Sequence, residues 1–157
     1  MTFLVEKEIG LIPLILTNIL DSCVNGISLA DPDQADLPLV YVNKAFEKIT
    51  GYSSDEAIGK NCRFMQRNER EQVGIEKIKE AIRKKESVEV ILRNFRKNGE
   101  LFYNHLLISP LFDSTGSLLY YLGIQYDLSS QINAKEEIRK LKESLVEKVT
   151  RELNIKT

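Results

Sequence analysis

The residues with chemical potential begin at Gly59-Lys60-Asn61-Cys62-Arg63-Phe64-Met65-Gln66, where a thiol has an amide one helical turn away and a guanidinium beside it. A resting thiol titrates near a pKa of about 8.5, so Cys62 is expected to be protonated. Arg63 pulls that value down, whereas apolar burial pushes it up. Three further amides, Asn94, Asn104 and Gln125, stand among apolar residues in strand-like runs. Buried amides need partners. These three can bond one another or water, or they can present donors and acceptors to one planar heterocycle. Arg63, Arg67 and Arg70 recur at i, i+4 and i+7, a local positive concentration that suits a small anion; the alternative is a solvated patch balanced by Glu69 and Glu71.

The rest of the chain narrows the chemistry. Lys and Arg total 22 against 23 Asp and Glu, a net charge of -1, so no basic excess draws in nucleic acid or an anionic membrane. Two distant cysteines, Cys23 and Cys62, with one histidine make neither a disulfide framework nor a metal or haem site. No Ser/His/Asp set, paired acid site or phosphate loop is present, and an enzyme is not expected. Acidic residues arrive early, nothing resembles a signal peptide, and the apolar run Leu11 to Leu20 is too short to span a bilayer. A cytoplasmic protein is expected, with no effector domain after Thr157.

The elements that must position these groups follow from pattern. Residues 3–20 form an amphipathic helix or two turns split at Pro13. Ile27–Ala30 and Leu39–Val42 are strands joined by a loop over 31–38. Asn43 caps a helix over 44–50 that Gly51 ends. Short helices follow from Ser53 or Ser54 to Gly59, at Cys62–Gln66, and over Gln72–Arg83. Val88–Phe95, Leu101–Ile108 and Leu118–Tyr126 are long strands, and 129–154 is a charged helix. The expected fold is α+β, a five-stranded antiparallel sheet with short helices over one face and flanking helices at both ends.

Parity places Asn104 and Gln125 on the helix-covered face and His105 on the other. A two-residue Asn98-Gly99 turn puts Asn94 and Asn104 on opposite faces. A three-residue turn, Asn98 to Glu100 with Gly99 left-handed, puts them directly opposite each other on one face. The outer face, with Leu107, Tyr120, Leu122, Ile124 and Tyr126, is apolar enough to need a cover from the terminal helices or a second subunit.

Taken together, Tyr41-Val42-Asn43-Lys44-Ala45-Phe46, Thr50-Gly51-Tyr52, the Cys62 run, Asn94-Phe95-Arg96-Lys97-Asn98-Gly99, Phe102-Tyr103-Asn104 and Gly123-Ile124-Gln125 resemble a light-oxygen-voltage domain. This is the flavin-binding branch of the PAS fold, and the likeness is to short bacterial members with helical flanks. It implies a cap helix over 1–21, a flavin domain over 22–128 and a linker or dimerisation helix over 129–157. It implies FMN as cofactor, with Cys62 as the photoactive cysteine and Asn61 and Gln66 flanking the flavin. By the same resemblance Asn94 and Asn104 read the pyrimidine edge, Arg63 meets the phosphate, and Arg67, Arg70 and Lys79 add charge around it. Met65 stands where leucine is usual, Lys79 where a second phosphate arginine is common, and Leu106 and Tyr121 where phenylalanine is frequent. Ile108 and Gly123 complete the expected lining.

The resemblance also implies a mechanism. Blue light creates a flavin triplet, Cys62 sulfur bonds to flavin C4a, and the proton ends on N5. Gln125 must then reverse its hydrogen bond to N5, since an amide carries both functions, and relays the change to the C-terminal helix. Two other functions use the same fold: a light-independent flavin- or ligand-binding PAS sensor, and a structural PAS dimerisation module. A homodimer through the terminal helices or outer sheet face is expected, together with a downstream protein partner, and no nucleic acid or membrane.

Overall fold

The computed structural model describes residues 11–154. The elements run α1 (Leu11–Ser22), β1 (Gly26–Ala30), β2 (Leu39–Val42), α2 (Lys44–Thr50), α3 (Ser54–Ala57), a 3-10 turn (Cys62–Gln66), α4 (Val73–Lys84), β3 (Val88–Phe95), β4 (Leu101–Phe112), β5 (Leu118–Asp127) and α5 (Ser129–Asn154). The five strands make one antiparallel sheet in the order β2-β1-β5-β4-β3. This is the α+β architecture read from the sequence.

Local chemistry explains the boundaries. One helix, α1, runs through Pro13. The part of the expected helix before residue 11 lies outside the described residues. Asn43 caps α2 by accepting from the Phe46 N–H at 3.0 Å, and Gly51 closes it in the left-handed region. A capping box between Ser53 and Glu56 starts α3. Strand β4 runs four residues past the expected Ile108, and Pro110 is accommodated because β3 ends at the Val88–Ile108 pair and leaves β4 without that neighbour.

The β3–β4 turn is three residues long but begins one residue earlier than expected. Arg96 N–H donates to the Glu100 carbonyl at 2.9 Å, so the turn is Lys97–Gly99, with Gly99 at φ 92°. Asn94 consequently faces Phe102, and Asn104 faces Leu92. The shift of one turn residue changes the register by two, which preserves parity. Asn94 and Asn104 share a face as diagonal neighbours, not as a direct pair.

Helices α2, α3, α4 and the 3-10 turn cover one sheet face. Two apolar groups fill the space beneath them: Leu39, Val42, Phe46, Ala57 and Met65 at one end, and Ile75, Val90, Leu92, Leu106, Ile108 and Tyr121 at the other. His105 is on the opposite face, stacked on Tyr126 at 4.4 Å and paired with Glu89 at 2.6 Å. On that face Leu107, Leu122 and Ile124 are half-buried. Tyr120, Tyr126 and Ile91 are exposed, as are Ile138, Leu141, Leu145 and Val149 of α5. No helix among the described residues is long and apolar enough to cross a membrane.

Candidate functional site

Between the helices and the inner sheet face lies a cavity of about 330 Å³. Its volume comes from small side chains at register-matched positions. Gly26, Ser28 and Ala30 share the inner face of β1, and Ser28 pairs with Gly123 of β5. A Cβ on Gly123 would stand 2.6 Å from the Ser28 hydroxyl, and one on Gly26 would stand 2.8 Å from Gln125 Cγ. Any larger residue at either glycine forces a neighbour to shift.

The helical wall carries Cys62. Asn61 starts the 3-10 turn, accepting from the Arg63 N–H at 3.0 Å while donating from Nδ2 to the Asp36 carbonyl at 2.7 Å. Phe64 packs edge-on against Tyr52, with centroids 4.9 Å apart, and pins the turn to the core. Because the turn has three residues per revolution, Cys62 eclipses Met65 and is rotated from Gln66, contrary to the i,i+4 stacking expected of an α-helix. All three nevertheless line the cavity. Burial pushes the Cys62 thiol up, opposed by its backbone hydrogen bond and the Arg63 charge. The thiol is thus held protonated at neutral pH.

The sheet wall carries the amides. Asn94, Asn104 and Gln125 are 3%, 0% and 3% exposed. Asn104 Nδ2 donates to Asn94 Oδ1 at 3.0 Å and to Gln125 Oε1 at 3.3 Å, and Asn94 Nδ2 donates to the Arg93 carbonyl at 3.1 Å. The amides therefore do bond one another, but the account does not close. Asn104 Oδ1 and Gln125 Nε2 are buried with no partner, one an acceptor and the other a donor, in residues that line the cavity. Unspent atoms of this kind cost stability unless a ligand uses them.

The cavity also brings in Arg63, Lys79, Leu106, Ile108, Tyr121 and Gly123. Tyr121 is oriented by its hydroxyl, which donates to the Ile82 carbonyl at 3.0 Å. Arg67 and Arg70 do not line it. The backbone reverses at Arg67 (φ 47°), which breaks the helical face that i, i+4, i+7 spacing assumed. The Arg67 guanidinium donates to the Arg96 carbonyl at 3.0 Å and lies over the Phe95 ring, while Arg70 Nε donates to the Arg67 carbonyl at 3.0 Å. Arg67 thus staples the segment to the β3–β4 turn and Arg70 braces Arg67 locally, so of the expected cations only Arg63 and Lys79 line the cavity.

A PAS-domain family model matches residues 24–130. The solved light-oxygen-voltage domain of the Erythrobacter litoralis EL346 blue-light-activated histidine kinase is 44% identical; the match covers 67% of this chain and 96% of that one, with a TM-score of 0.63. The chain is a light-oxygen-voltage domain of the PAS superfamily. It thus belongs to a family of blue-light photoreceptors. A solved RNA-binding light-oxygen-voltage receptor matches 94% of this chain and 41% of that one, at 31% identity and a TM-score of 0.77. A blue-light photoreceptor of Listeria innocua is 42% identical over 115 residues, 73% of this chain and 45% of the relative. The chain thus spans under half the length of that relative.

Within this light-oxygen-voltage domain, several lining residues escaped sequence reasoning: Ser28, Leu37, Leu39 and Ile78 among them. The usable signal was the alternation of small residues at 26, 28 and 30 on β1. For Leu37 there was none, because its place depends on the loop conformation. Among the described residues no cluster of three or more His, Cys, Asp or Glu could hold a metal.

Proposed function

We propose that this domain senses blue light through flavin mononucleotide held in the cavity, with Cys62 as the covalent partner of the flavin and Gln125 as the residue that reports the event. The observation that carries the reading is the pair of unspent atoms on the sheet wall. A flavin's pyrimidine edge offers an imide N–H flanked by carbonyls, which complements the Asn104 Oδ1 acceptor and the Gln125 Nε2 donor. The apolar lining suits the fused rings, and Arg63 and Lys79 suit a terminal phosphate.

The flavin supplies light absorption and an excited state able to accept the sulfur and proton of a thiol. The chain's own residues do the rest. The 3-10 turn holds Cys62 in the helical wall, and burial keeps the proton on its sulfur until it is needed. Gln125 can turn its amide from donor to acceptor without leaving its place. Its strand ends at Asp127, which accepts from the Ser129 N–H at 2.8 Å and pairs with Arg96. Ser129 Oγ in turn accepts from the Tyr103 N–H at 3.0 Å, so the start of α5 is bonded to both β4 and β5. A change at Gln125 therefore has a bonded route into α5, and 22–128 acts as the sensor with 129–157 as its output.

Exposed apolar residues on α5 and the outer sheet support a homodimer formed there, which hands its signal to a protein partner. Absorption spectra of purified protein before and after blue illumination test the central claim. We expect reversible bleaching of the flavin band in wild type, and a flavin-loaded Cys62→Ala variant that does not bleach. Persistent reversible bleaching in that variant overturns the assignment.

A further inference from the structure

Arg63 is not free to meet an anion. It is ion-paired with Asp36, which lies in the β1–β2 connection. Asp36 and Leu37 both adopt left-handed backbone, at φ 73° and 49°. Aspartate tolerates that region, whereas leucine seldom does. The conformation is held from two sides: Asn61 Nδ2 donates to the Asp36 carbonyl at 2.7 Å, and Leu37 sits in the cavity wall. The carboxylate is thereby delivered to the guanidinium fork that a phosphate would use. Lys79 is paired as well, with Glu76 at 2.7 Å, but that is an exposed i,i+3 contact on one helix and rearranges freely. Both cavity-lining cations are thus carboxylate-paired, and a phosphate must compete for Arg63 in particular.

We propose that Asp36 is a specificity-determining residue for the tail of the flavin. Its carboxylate competes with the ligand's phosphate for Arg63, and so sets how strongly the domain prefers a phosphorylated flavin to an unphosphorylated one. This rests on the flavin reading above. A ribityl chain ending in a hydroxyl leaves the Asp36–Arg63 pair intact. A phosphate must displace it and then sit beside the released carboxylate.

The test is fluorescence titration of flavin-stripped protein with FMN and, separately, riboflavin. Asp36→Asn keeps a residue suited to left-handed backbone and removes the charge. We expect FMN affinity to rise about fivefold with riboflavin affinity unchanged, the size of a half-exposed ionic contact. The gain should shrink in high salt, where such contacts are screened. In an Arg63→Gln background Asp36→Asn should lose most of its effect on FMN. Glu76→Gln should move FMN affinity less than Asp36→Asn does. Equal shifts for both flavins, no shift in either, or an undiminished effect with Arg63 replaced each overturns the proposal. If folded wild type binds neither flavin, the flavin reading itself fails and this inference falls with it.

Discussion

Two sets of buried amides stand a few residues apart in space and differ in one respect. Asn43, 1% exposed, spends everything it has. Its Oδ1 accepts from Ile27 and Phe46 N–H at 2.8 and 3.0 Å, and its Nδ2 donates to the Leu20 and Asn25 carbonyls at 2.7 and 3.1 Å. It ties α1, β1 and α2 into one body. Asn104 and Gln125, equally buried, each retain an unspent atom against the cavity. Residue type and burial are the same in both places, so neither separates a structural amide from a binding one. The hydrogen-bond account does.

The largest effect should come from Asn43. Asn43→Ala removes four bonds and a helix cap from a dry site, and is expected to cost about 3 kcal/mol in denaturant unfolding. Flavin affinity of the folded fraction should be unchanged; a large loss of affinity at unchanged stability would erase the comparison. Asn104→Leu should do the reverse. The flavin-free stability should move by about 1 kcal/mol or less, because the released Asn94 and Gln125 oxygens can turn to the cavity, while flavin affinity falls at least about tenfold. Gln125→Leu removes one bond and should weaken flavin binding by about 1 kcal/mol. Its sharper readout is hydrogen exchange at the start of α5, which should respond to blue light in wild type and not in the variant.

The smallest effect concerns pH. Burial raises the Cys62 pKa above the ordinary thiol value, so the folded state holds its proton more tightly than the unfolded chain does. That contribution is fully present below the unfolded value and is lost as pH rises through the folded one. Wild-type flavin-free protein should therefore lose stability in the alkaline range more steeply than Cys62→Ala does. Equal slopes in urea titrations at neutral and alkaline pH would mean that the thiol is solvated.

Much of this molecule is legible in one dimension, because its chemistry is local. Asn43 and Gly51 bound α2 by caps that any reader of the sequence can place, and alternation assigns Asn104 and Gln125 to the inner face whatever the turn does. Even an error of one residue in the β3–β4 turn left the faces intact, since side chains repeat every two residues. The family motif around Cys62 is likewise contiguous.

The order of elements, the sheet faces and the identity of the polar groups on each can therefore be read along the chain. Folding in three dimensions settled which atoms of those groups remain unspent, that Arg67 turns to the β3–β4 loop, and that Asp36 reaches Arg63 across 27 residues of sequence. The reason is physical. Periodicity and capping are set by neighbours along the chain, whereas hydrogen-bond accounts and ion pairs close between segments that meet only after folding.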